Sequence, residues 1–151
     1  MIRSLRGTNS VTVTCESDAF IREGRKIARA LDAALFFEKK KNFSCAVHLV
    51  LNSSMRRINL KTRGKDFATN VLSFEASHSF PHPESPKNSA WHGEIFLAPR
   101  VITAKNEDVV FLAIHGLLHL LGYTHEKKSA RMVMEARERE IVRFISRPAE
   151  K

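Results

Sequence analysis

The run HGLLHLLGYTH places histidines at 115, 119 and 125, and their spacing fits a zinc site. Residues four apart on a helix project from one face, one turn apart, so His115 and His119 can chelate a single ion. Gly122 is placed to end that helix in a left-handed turn that folds His125 back onto the same metal. Three neutral imidazoles leave the fourth tetrahedral position open for water, the arrangement of catalytic rather than structural zinc. A lone histidine on an apolar helix is most often a hydrogen-bonded core residue. Three of them on a segment as apolar as Val109 to Leu121 shift that balance, because imidazoles in such surroundings are costly unless something polar meets them.

The same run matches the long metalloprotease pattern HExxHxxGxxH at every fixed position except one. Gly116 stands where that pattern has the glutamate that takes a proton from the metal's water, so a peptidase is the weaker reading. A second constellation points to phosphate. INLKTRGKDFATNVLSFE gathers Arg63, Lys65 and Asp66 around Gly64 just before a strand, and a guanidinium there can hold a phosphodiester through two parallel hydrogen bonds. Taken alone, such a basic turn is common surface material.

The elements that must position these residues follow from periodicity. Alternation predicts strands at Val11 to Cys15, Phe43 to Leu51, Val71 to Ala76 and Glu94 to Ala98. Ser17 caps a helix in which Phe20, Ile27, Leu31 and Leu35 recur at helical spacing before the basic stop Lys39 to Lys41. Asn52 to Leu60 reads as a short helix. Asn106, Glu107 and Asp108 start the histidine helix, and Ser129 caps a last amphipathic helix carrying Met132, Ala136, Ile141 and Ile145. The stretch Ser77 to Trp91, with three prolines and two histidines, is too long for an ordinary turn. His78, His82 and His92 in or beside it, and His48 in its strand, read as solvated residues, while Phe80 and Trp91 are candidates to stack on unpaired bases. The expectation is an α+β single domain: a roughly four-stranded mixed sheet packed by helices, the metal site on a buried helix and the turn after it.

Composition narrows the partners. At 151 residues and 43% apolar the chain is long enough to bury one core, and its net charge of +9, with a pI near 10.0, favours nucleic acid or another polyanion. Cys15 and Cys45 lie in separate strand-like runs outside any CxxC pair and read as reduced core residues of a cytoplasmic protein. No apolar run approaches a membrane span, and MIRSLRG lacks the apolar core of a signal peptide.

Three ordered blocks together go beyond what spacing and charge supply. RGKDFATNVLSFE, then GEIFLA from Gly93 to Ala98, then HGLLHLLGYTH resemble the bacterial YbeY family of metal-dependent endoribonucleases that mature ribosomal RNA, over residues 58 to 125. The resemblance implies one endoribonuclease domain over residues 1–151. It implies a zinc-dependent, single-strand-specific hydrolase acting in 16S rRNA 3′ end maturation and ribosome quality control, with one zinc ion on His115, His119 and His125 and Arg63 as the catalytic residue at the substrate phosphate. Ribosomal RNA, the small ribosomal subunit, ribosomal proteins and an assembly GTPase are the implied partners, without a membrane. Two alternatives stand beside it: a zinc metallopeptidase, and a non-catalytic ribosome-assembly factor whose metal is structural. Thr124 replaces the family's usual aspartate in GYDH, Ala68 its proline, and Thr62 an aromatic, and the segment before His115 is short. An acidic residue at 124 would orient a ligand or raise its basicity.

Overall fold

Strands form wherever the sequence alternates, and they assemble into one sheet that carries the site on its edge. The computed structural model describes residues 1–76 and 90–147. Among them β1 (Ile2–Arg6), β2 (Asn9–Cys15), β3 (Phe43–Leu49), β4 (Val71–Glu75) and β5 (Ala90–Leu97) lie in the order β1-β2-β3-β5-β4. The two outer pairs, β1 with β2 and β4 with β5, are antiparallel, and the inner pairs are parallel. Parallel neighbours need a crossover, and α1 (Ile21–Phe37) supplies it between β2 and β3. The remaining helices are α2 (Asn52–Arg63), α3 (Pro99–Ala104), α4 (Val109–Leu120) and α5 (Lys128–Ile145).

The fold is α+β as expected, with five strands instead of four. The additional strand is β1, whose IRSLR does not alternate cleanly because it is an edge: Ile2 packs on the core while Leu5 is 60% exposed. A two-residue turn at Gly7 and Thr8 joins it to β2, with Arg6 opposite Asn9. β5 starts at Ala90 rather than Glu94, and its pairing with β3 shifts register between Ser44 and Cys45. Ala90 and Trp91 are therefore strand residues; positions 77–89, with His78, Phe80 and His82, lie outside the described residues.

Two cores result from the period of two along the strands. On one face Val13, Val47, Ile95 and Leu97 meet Leu31 and Leu35 of α1 and Ile114 and Leu117 of α4, all fully buried. Each such side chain contributes about 1.5–3 kcal/mol by leaving water. On the other face Met55 of α2 covers Leu72, with Phe74 and Phe96 packed against them. α5 lies against α1 and α4 and adds Met134 and Ile141 to the first core. Its start differs from expectation: the cap is Lys127 with no side-chain bond, Ser129 lies inside the helix, and Met132 points to solvent. Met134, Glu138 and Ile141 form the inward row, and a buried glutamate in that row is what obscured its phase in the sequence.

Candidate metal centre

α4 begins where Asp108 accepts a hydrogen bond from the Phe111 amide at 2.9 Å, one of the acidic starts expected there. Glu107 beside it accepts from Asn70 Nδ2 at 3.0 Å, and Asn70 Oδ1 in turn accepts from the Val71 amide at 2.8 Å. The entry to the histidine helix is thereby fastened to the start of β4. Gly116 lets α4 sit close on the sheet: a Cβ there would lie 2.9 Å from Ile95 Cγ2 and from Ser73 Oγ. A glutamate at 116 would thus have to enter packed sheet, so the chain lacks both the protease residue and the room for it.

The helix ends as its sequence required. Gly122 has φ +100, the Tyr123 amide donates to Leu118 O and the Gly122 amide to His119 O, both at 3.0 Å. This closing pattern satisfies the last carbonyls and turns the chain back. His115, His119 and His125 consequently converge, offering one nitrogen each within 4.8 Å of one another.

Hydrogen bonds decide which nitrogens are offered. His119 Nδ1 lies 3.1 Å from the Tyr123 carbonyl, which only accepts, so that nitrogen carries the hydrogen. His115 Nδ1 lies 2.8 Å from Oε1 of Glu138, a buried carboxylate of α5, and donates to it. In the neutral form that ligates a metal, both Nε2 atoms are then bare lone pairs, and they face each other at 3.1 Å. Two acceptors so placed repel; a cation between them removes the conflict. Tetrahedral zinc with Zn–N of about 2.0–2.1 Å sets its ligand nitrogens about 3.3 Å apart, close to what these rings already adopt. Burial, and next the neighbouring His115, hold His119 below the usual imidazole range, which keeps it neutral and able to ligate near pH 7. The donor set therefore fits a metal ion.

A groove of about 450 Å³ leads to these rings between β4 and Arg63, the last residue of α2. Arg63 is exposed and makes no ion pair among the described residues, whereas Asp66 is taken by Arg56 through contacts of 2.7 and 3.1 Å. That guanidinium holds the Asp66 carboxyl below the usual carboxylate range. Of the RGKD turn, then, Arg63 alone lines the groove, joined there by Glu75, which the sequence did not mark. Glu94 is 3.2 Å from His48 and does not line the groove; Glu126 is exposed beside His125 and does not line it either. Neither His48 nor His92 is a free solvated ring: His92 stacks on Phe43 with centroids 4.1 Å apart.

Comparison with known proteins agrees with this assembly. The family model described as Endoribonuclease YbeY matches residues 12–146. The chain belongs to the YbeY endoribonuclease family. Relatives named Endoribonuclease YbeY include those of Buchnera aphidicola, 33% identical over 72% of this chain and 71% of theirs, and of Chelativorans, 37% identical over 68% and 66%. That of Xylella fastidiosa is 36% identical over 64% of this chain and 65% of its own. The solution structure of a Thermotoga maritima protein shares the fold, with a TM-score of 0.61 at 20% identity, over 89% of this chain and 88% of that one. The departures from the YbeY pattern are locally accommodated. Ala68 packs beside the second core, and the Thr62 hydroxyl donates to Ile58 O at 2.7 Å. Thr124 is exposed and has no hydrogen bond among the described residues, so Tyr123 and Glu138, not residue 124, hold the ligand rings.

Proposed function

We propose that this chain is a zinc-dependent endoribonuclease that cuts single-stranded RNA and acts on the 16S rRNA 3′ end during maturation and quality control of the small ribosomal subunit, in the cytoplasm. The observation that carries the reading is the meeting of three histidines with the Arg63 guanidinium at one groove, in a chain of the YbeY family. The ribosomal substrate, ribosomal proteins and an assembly GTPase rest on that membership. Zinc is favoured among metals because every donor is imidazole nitrogen and the chelate is compact.

His115, His119 and His125 hold the ion, which supplies a Lewis acid and a means of ionising water near neutral pH. Glu138 and the Tyr123 carbonyl fix the tautomers, so the ring nitrogens are aimed before any substrate arrives. Arg63 holds the phosphate through its planar fork and offsets charge developing on the phosphoryl oxygens. A peptidase is disfavoured by the packed Gly116 position.

The test is one preparation assayed three ways: zinc-loaded, chelator-treated, and zinc-loaded Arg63→Ala, each offered single-stranded RNA, duplex RNA and a peptide. Cleavage of the single strand by the first alone, with Arg63→Ala keeping zinc and fold, is expected. Arg63→Lys should rescue poorly, since an ammonium cannot make the paired contact. Peptide cleavage, or RNA cleavage that survives metal removal, contradicts the reading. Unfolding on metal removal with no RNA cleavage before it favours the structural-metal assembly factor.

A further inference from the structure

The histidines wall two cavities. One is the Arg63 groove; the other, of about 400 Å³, opens between α4 and α5, is also lined by His115, His125 and Glu138, and receives no part of the substrate in the chemistry above. Its size is that of a small-ligand site, about 300–1,000 Å³. Leu112 and Met134, both buried, give it an apolar floor. Phe111 stands at it with 39% of its surface exposed, on the α4 face of His115 and one turn before it, about 6 Å along the helix axis. α5 contributes Arg131 and Arg139, exposed and without ion pairs among the described residues, with Glu135 between them on the same face. An open phenyl ring over an apolar floor, with two guanidiniums beside Glu135 and with the other lining carboxylate, Glu138, already bonded to His115, complements a base with its phosphate.

We propose that this cavity is a nucleotide subsite: the base next to the cleaved phosphate stacks on Phe111, and Arg131 and Arg139 take the phosphate beyond it. The proposal rests on the endoribonuclease reading and places the RNA strand across the histidines, from the Arg63 groove on one side to the α4–α5 cavity on the other. Aromatic faces accept any base, so the subsite favours unpaired nucleotides without choosing a sequence. A paired base has its faces covered by its neighbours and cannot reach the ring.

The experiment measures binding of the zinc-loaded protein to a labelled single-stranded octanucleotide RNA by fluorescence anisotropy, read before turnover. Phe111→Leu keeps apolar volume but removes the ring face, and Phe111→Tyr keeps the face. The first should weaken binding about five- to a hundredfold, the range for one lost stack, and the second should match the wild type. An abasic ribose placed at one position of the RNA should abolish the difference between wild type and Phe111→Leu, and at other positions leave it intact. Arg131→Ala and Arg139→Ala should each reduce the salt slope by about one. Zinc content checks that every variant keeps the site. Equal affinity of Phe111→Leu and wild type, or a loss that no abasic position removes, overturns the subsite. Should the zinc-loaded wild type cut no RNA while binding keeps this Phe111 pattern, the nuclease reading falls and the subsite stands.

Discussion

His48 and His115 are both partly buried imidazoles with a glutamate at hydrogen-bond distance, yet their surroundings leave them different amounts of chemistry. In the first, Nδ1 meets Thr14 Oγ1 at 2.7 Å, Nε2 meets Glu94 Oε1 at 3.2 Å, and the ring leans on Phe96 with centroids 4.7 Å apart. Both nitrogens are used by the protein. In the second, Glu138 takes one nitrogen and the other is turned toward the like nitrogen of His119 at 3.1 Å. A structural histidine is one whose polar atoms are all spent; a ligand is one whose outer nitrogen is fixed so that the inner one stays unspent. Burial and a carboxylate neighbour do not separate the two cases.

That contrast can be broken most severely at the ligands. His119→Ala should release the metal on dialysis and take RNA cleavage to background, because two imidazoles hold zinc poorly; His48→Ala should keep full metal stoichiometry and full cleavage. Metal analysis and a single-turnover assay on both proteins give the answer. Equal behaviour of the two variants would erase the distinction.

Glu138→Gln comes next. An amide can still accept from His115 Nδ1 but without charge, so metal affinity should fall about 10–100-fold with the fold intact, as read by competition with a chelator. If affinity is unchanged, the buried carboxylate serves packing only.

Smaller is the effect of His48→Ala on stability, about 1 kcal/mol for hydrogen bonds that are partly buried, measured by denaturant unfolding. Glu94→Gln should cost less, because the carboxylate is 40% exposed in its side chain and screened by water.

The smallest concerns Thr124, whose hydroxyl has no hydrogen-bond partner among the described residues. Thr124→Val should leave metal retention and turnover within about twofold, since one exposed hydroxyl without a partner contributes little. Thr124→Asp should do no more than slow metal loss slightly through its charge. A large loss in Thr124→Val would mean the hydroxyl acts on substrate.

The ligand set was legible because helical spacing and a glycine stop are local rules: His115 to His119 is one turn, and Gly122 at φ +100 completes the return to His125. Arg63 was legible from a motif, and its place in the groove depends on the Asp66–Arg56 pair and the end of α2, which only tertiary packing sets. Glu138 was not legible. It looks like one of many charges on α5, and its burial comes from the packing of that helix against α4. β1 was missed because an edge strand hides one residue and exposes the next without needing polar alternation. α3, a six-residue helix starting at Pro99, is too short for periodicity to reveal. Cys45 was legible as a core thiol: burial pushes it up to about 12, and it is a free cysteine.

The central claim is that three imidazoles, two of them with outer nitrogens the protein fixes, converge on one metal ion. X-ray absorption at the zinc edge of the zinc-loaded protein tests it most directly. The account predicts a nitrogen and oxygen shell at about 2.0–2.1 Å with the outer-shell scattering of three imidazole rings. A zinc–sulfur distance of about 2.3 Å, which would mark Cys15 or Cys45 as a ligand, or a shell without imidazole scattering, would contradict it.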